Sequence, residues 1–160
     1  MNFRKPLFWD LKKPNFFSYL LVPLTIPLII NNFLFNIKKK TKFSKIKSVC
    51  VGNIYKGGTG KTHLTIKLKN IIKKMGLNVT TAKKFYQNQT DEQHLLKKNT
   101  QTIIAKSRLD AINQAINKTN DVIIFDDGLQ EKNIDYDLKI VCFKKKNWVG
   151  NGQLIPSGPL

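Results

Sequence analysis

The chain has 160 residues, enough for one domain with its own core. Its 28 basic and 10 acidic residues give a net charge of +18, which points to an anionic partner or to a Lys-rich, solvated surface. Two cysteines and two scattered histidines (His63, His94) exclude a ligand cluster of zinc-site spacing, and Cys50 and Cys142 read as core thiols of a reducing compartment. Arginine, the usual residue for phosphate and base readout, occurs only as Arg4 and Arg108, and no nucleic-acid partner is expected.

The first element is the uncharged run Phe16–Phe35, long enough to span a bilayer. A secretory signal is disfavoured, because Lys38, Lys39 and Lys40 follow where a small-residue cleavage site would stand. Pro23 and Pro27 are tolerable in a spanning helix. Basic residues on both flanks give no orientation. The favoured expectation is a helical segment in the membrane interface, with aromatic and aliphatic residues inserted and lysines on anionic headgroups. A spanning helix and an internal helix pair are the alternatives. Asn36–Lys47 adds six lysines and no acid. Residues 1–45 are therefore set apart as a membrane-associating segment, and 46–160 as the catalytic-type domain.

Ile46–Val51 reads as a buried strand that runs into Tyr55-Lys56-Gly57-Gly58-Thr59-Gly60-Lys61-Thr62. Glycines let backbone N–H groups face a phosphate, and a helix start adds positive potential. Lys61 can reach the β/γ-phosphates of a nucleotide, and the Thr62 hydroxyl can ligate Mg²⁺. ATP and Mg²⁺ are the expected ligands of residues 55–62. Tyr55 stands where the common phosphate-loop pattern has glycine.

Thr62–Met75 is predicted as a helix with Leu64, Leu68, Ile71, Ile72 and Met75 on one face and Gly76 as its stop. A strand over Leu77–Ala82, a short helix over Asp91–Lys98 and a strand over Thr102–Ala105 follow. Arg108–Lys118 reads as a helix with Leu109, Ile112 and Ile116 inward. Val122–Phe125 and Leu138–Phe143 complete the strands. The alternation predicts an α/β, P-loop NTPase-type, mostly parallel sheet with flanking helices, whose ligand sits at the carboxyl ends of the strands. Asp126 and Asp127, at such an end, are candidate Mg²⁺ ligands; an Asp-Gly turn is the plainer alternative.

Together these pieces resemble the tetraacyldisaccharide 4′-kinase (lipid A 4′-kinase) family. The resemblance rests on Pro6-Leu7-Phe8-Trp9, on Val51-Gly52-Asn53 leading to the glycine-rich loop, and on Thr90-Asp91-Glu92 for a Gly-Asp-Glu motif. Asp126-Asp127-Gly128-Leu129-Gln130 and the run from Gly150 to Leu160 complete it. The family also lacks the early glycine replaced here by Tyr55. The resemblance implies ATP-dependent phosphorylation of the 4′-hydroxyl of a lipid disaccharide at the cytosolic face of the inner membrane. It implies that Asp91 orients or deprotonates the acceptor hydroxyl and that Arg108 lies near the phosphates. Without it, Asp91 reads equally as a helix N-cap and Arg108 as a helix-face charge. Glu131 departs from the family's His, and Lys83-Lys84-Phe85-Tyr86-Gln87 from its Ser-Arg-Gly-Tyr-Gly. Family members continue past Gly-Pro-Leu, so the sequence reads as an N-terminal portion. The competing expectations are a partitioning-type ATPase switch, in which Lys56 would reach across a dimer, and an inactive nucleotide-binding remnant.

Overall fold

A computed structural model describes residues 6–37, 40–53, 60–85, 90–129, 131, 133–145 and 148–160. The chain forms two compact units. One comprises residues 1–39, 54–59 and 143–160, the other 40–53 and 60–142.

The second unit carries a five-stranded sheet in the order β3-β2-β4-β1-β5, parallel throughout its pairings. The strands are β1 (Lys47–Asn53), β2 (Val79–Lys84), β3 (Thr102–Ala105), β4 (Val122–Asp126) and β5 (Leu138–Cys142). In the same unit lie helices α3 (Lys61–Lys74), α4 (Thr90–Asn99) and α5 (Arg108–Asn117); α1 and α2 belong to the first unit. Successive side chains of a strand point to opposite faces, and the core divides accordingly. Val49, Val51, Val79, Val122 and Ile124 pack with Leu64, Leu68 and Ile72 of α3. Cys50, Ala82, Ile103, Ile123 and Phe125 pack with Ala111, Ile112 and Ala115 of α5. Helices thus cover both faces of a parallel sheet, which is the expected α/β fold class.

Several local expectations are corrected. On α3, Ile71 and Met75 are exposed, because the buried stripe is narrower than the apolar one. On α5, Ile112 and Ile116 pack inward as expected, but Leu109 is exposed, and the fully buried positions are Arg108, Ala111, Ile112 and Ala115, at the helical spacing i, i+3, i+4, i+7. Strand β2 runs two residues beyond Ala82, since pairing with β3 continues to Lys84 and Ala105. Cys142 lies on the edge strand β5 and is half-buried, whereas Cys50 is closed to solvent. Gly76, at φ +84°, ends α3 in the left-handed conformation open to glycine.

In the first unit, α1 (Phe16–Leu21), a 3-10 turn (Val22–Thr25) and α2 (Ile26–Ile37) follow one another. The helical run Phe16–Leu34 is long and apolar enough to cross a membrane. Its burial is inverted relative to a water-soluble helix: Ser18 and Thr25 are buried, while Phe16, Phe17, Leu20, Leu24 and Phe33 are exposed. Asn15 caps α1, accepting from the backbone N–H of Ser18 at 3.0 Å. The same unit holds the glycine-proline run against these residues. Asn151 donates from Nδ2 to Ser18 Oγ (2.9 Å) and to the Ser157 carbonyl (3.0 Å). Ser157 Oγ donates to the Ser18 carbonyl (2.6 Å), and Trp9 Nε1 to the Pro156 carbonyl (3.0 Å).

Candidate functional site

The carboxyl end of β4 carries two acids because the apolar run Val122–Phe125 stops there. Val122 and Ile124 face α3, so alternation turns Asp126 to the same face, toward the start of that helix. Gly60, at φ +79°, precedes α3, and Lys61 and Thr62 are its first residues. The Thr62 hydroxyl donates to Asp126 Oδ2 at 3.1 Å. Lys61 Nζ lies 3.3 Å from Asp127 Oδ2, in a pair partly open to solvent.

Asp127 leaves the strand with φ +67°, in the left-handed region that Asp tolerates better than most residues. Its backbone N–H donates to the Val51 carbonyl at 2.7 Å. Gly128 follows in a confined space, where a Cβ would meet Cys50 Sγ at 2.8 Å and the Tyr136 hydroxyl at 3.1 Å. Ser107 caps α5, and Arg108 at its head reaches back to this turn. The Arg108 guanidinium donates to the Asp127 carbonyl and pairs with Glu131 Oε2 at 3.2 Å. Glu131 is therefore a partner of Arg108.

Lys83, which nothing in the linear sequence singles out for the site, also reaches it. Its ammonium lies 3.2 Å from Asp126 Oδ2, and both side chains are closed to solvent. Register explains the pairing. Ala82 stands opposite Phe125, so the next residues, Lys83 and Asp126, are neighbours on the α3 face. Burial pushes the Asp126 carboxyl above the usual carboxylate range, opposed by the Lys83 ammonium and by its hydrogen bonds from Lys83 and Thr62. Burial pushes the Cys50 thiol up to about 12.

The structure brings Lys61, Thr62, Asp126, Asp127 and Arg108 together at one end of the sheet. Asp91 lies in the first turn of α4, with its side chain outside the described residues. Tyr55, Lys56, Gly57, Gly58 and Thr59 also lie outside them.

A hard divalent cation fits this donor set. Asp126 Oδ1 is buried and has no hydrogen-bond partner among the described residues. The other oxygen of the same carboxylate accepts from the Thr62 hydroxyl, and Mg²⁺ takes one or two carboxylates from a protein, with phosphates and water supplying the rest. Accordingly, no group of three or more His, Cys, Asp and Glu suited to a metal occurs among the described residues.

Comparison with known proteins bears on the whole chain. It is 56% identical over 162 residues to the tetraacyldisaccharide 4′-kinase of Pelagibacter ubique (strain HTCC1062), covering 100% of this chain and 51% of that protein. It is 30% identical to the protein of the same name from Rickettsia bellii (strain OSU 85-389), over 97% of this chain and 53% of that one. The chain spans about half the length of the curated relatives it matches. The crystal structure of the "apo" form of LpxK from Aquifex aeolicus in complex with ATP is similar at a TM-score of 0.67 and 24% identity. That likeness covers 90% of this chain and 51% of that one, and it speaks for the fold. These relatives do not favour the partitioning-type switch. The profile of the family described as Tetraacyldisaccharide-1-P 4'-kinase matches residues 18–160, from the buried Ser18 of α1 through the site to the glycine-proline run, and the chain belongs to that family.

Proposed function

We propose that this chain supplies the nucleotide-binding half-site of a lipid kinase that moves the γ-phosphoryl group of ATP to the 4′-hydroxyl of a tetraacyl disaccharide 1-phosphate. The observation that carries the reading is the Thr62–Asp126 contact at the head of α3, with Oδ1 of Asp126 buried and without a hydrogen-bond partner among the described residues. The names of the relatives supply the acceptor, and the ATP complex of the similar structure supports the donor.

In this reading residues 55–62 hold the phosphates through backbone N–H groups. Lys61 leaves Asp127 for the β/γ-phosphates and stabilises the charge of the transferring group. Thr62, Asp126 and Asp127 hold Mg²⁺, which when bound neutralises phosphate charge. Arg108, fixed by Glu131 and the Asp127 carbonyl, keeps positive potential beside the phosphates. Asp91 takes the proton of the acceptor hydroxyl as its oxygen bonds to the γ-phosphorus and the bond to ADP breaks.

The exposed apolar residues of Phe16–Leu34 and the basic flank 36–47 support a place at the membrane surface, where a tetraacyl substrate resides. The division into a membrane-associating 1–45 and a kinase domain 46–160 is part of the proposal, as is the cytosolic face of the inner membrane.

The test is transfer of labelled γ-phosphate from ATP to the disaccharide lipid in mixed micelles, by the protein that contains this chain. Labelled product that disappears in Lys61→Ala is expected. Undiminished transfer by that variant would refute the assignment.

A further inference from the structure

A fully buried lysine is costly to desolvate, and its position needs a cause. Lys83 is among the largest side chains closed to solvent, and it sits on the central part of the sheet, on the strand next to β4. Its ammonium and the Thr62 hydroxyl both occupy Oδ2 of Asp126, at 3.2 and 3.1 Å, while Oδ1 has no hydrogen-bond partner among the described residues. We propose that Lys83 is a positioning residue: an internal counter-cation that holds Asp126 in place before metal arrives and opposes Mg²⁺ for the same carboxylate once it binds. The proposal rests on the reading of this end of the sheet as a metal–nucleotide site.

The physical argument has two parts. Without metal, Asp126 is a buried charge, and among the described residues Lys83 is the cation nearest to it, at 3.2 Å. Removing Lys83 leaves that charge only the Thr62 hydrogen bond and the more distant Lys61, and raises the free energy of the metal-free state. With metal, a second positive charge beside the same carboxylate repels the cation, so its removal lowers the free energy of the metal-bound state. For the ionised carboxylate both effects act in one direction: loss of the Lys83 charge tightens metal binding. The orientation of Asp126 follows as well, because an ammonium fixed on Oδ2 leaves Oδ1 as the oxygen open to a cation.

The test uses Mn²⁺ with a non-hydrolysable ATP analogue, free Mn²⁺ being read by its electron paramagnetic resonance signal. Wild type, Lys83→Met and Lys83→Arg are compared in the full protein. Lys83→Met is expected to bind the metal complex about tenfold more tightly, from the loss of one nearby unit charge. Lys83→Arg, which keeps the charge, is expected to stay within about twofold of wild type. Equal or weaker binding by Lys83→Met overturns the role of Lys83 while leaving the metal site intact. Absence of Mn²⁺–nucleotide binding in every protein refutes the metal site and this proposal with it. Should Lys83→Met not fold, the double variant Lys83→Met/Asp126→Asn removes both charges together. Recovery of folding by that pair supports the counter-cation role, and failure to recover overturns it.

Discussion

The Thr62 hydroxyl donates to Asp126 Oδ2 at 3.1 Å across 64 residues of sequence. This bond joins the head of α3 to the end of β4, and so joins the two halves of the proposed nucleotide site. Thr62→Val keeps the shape and removes the donor. Because Asp126 retains Lys83, the expected loss of stability is about 1 kcal/mol, read from the urea midpoint. Phosphotransfer is expected to fall by about a hundredfold or more, since the hydroxyl is a proposed metal ligand. Transfer at the wild-type rate would remove Thr62 from the site.

Gly128 is tightly enclosed by Cys50, Tyr136 and Phe125. The Tyr136 hydroxyl donates to the Gly128 carbonyl at 3.3 Å, and the Phe125 and Tyr136 rings meet edge to face at 5.4 Å. Gly128→Ala is therefore expected to destabilise the fold by about 1–3 kcal/mol through overpacking. Gly76→Ala, with open space around its Cβ, is expected to cost about 1 kcal/mol, from backbone strain alone. Equal urea midpoints for wild type and Gly128→Ala would show that the pocket yields.

Asp137 clamps the start of β1. Its Oδ2 accepts from the Ser48 backbone N–H at 2.9 Å and from the Ser48 hydroxyl at 2.8 Å, and its own N–H donates to Ser48 Oγ at 3.2 Å. Burial pushes the carboxyl up, but the two Ser48 bonds and then Lys47 and Lys42 outweigh it and hold the group below its ordinary 3.8. A depressed folded value means that the contribution is complete above the unfolded value and is lost as pH falls through the folded one. Discounted for the solvent exposure of this corner, Asp137→Asn is expected to cost about 1 kcal/mol or less at pH 7. The gap to wild type should narrow steadily below about pH 4. A gap that does not change with pH would show that the ionised carboxylate is not what stabilises this corner.

The Cys50 thiol, closed to solvent and with its pKa raised to about 12 by burial, is expected to resist alkylation at pH 8 in the folded protein. Peptide mass mapping after iodoacetamide treatment should show Cys50 modified only when denaturant is added. Rapid modification under native conditions would mean that the β1–α5 face opens.

The exposed residues Phe16 and Phe33 are proposed to enter a lipid surface. Replacing either with Glu is expected to weaken co-sedimentation with anionic vesicles by about tenfold or more, from lost apolar burial and the added negative charge. Unchanged binding would assign the apolar run to another role.

The elements near each motif were legible because their causes are local. An apolar run followed by glycines and Lys-Thr needs no distant partner to be read as strand, turn and helix, and Val122–Phe125 before Asp126 carries the same kind of signal. Leu109 faces solvent against expectation because apolar identity cannot say which side of α5 meets the sheet; Ala111 and Ala115 take that side because small residues allow a close approach.

What the linear sequence determined by itself was therefore the set of local elements, the family resemblance and the expectation, carried into the proposed function, that Lys61 and Thr62 bind phosphate. What only the tertiary structure decided was which distant residues share a charge or a hydrogen bond. Lys83 reads as one more surface lysine until the strand order places β2 beside β4, and a one-residue change of register would turn it to the opposite face. Asn151 and Ser18, 133 residues apart, meet through the packing of the first unit. Such pairings depend on long-range topology, where the free energy of burying a polar group depends on its partner rather than on its neighbours along the chain.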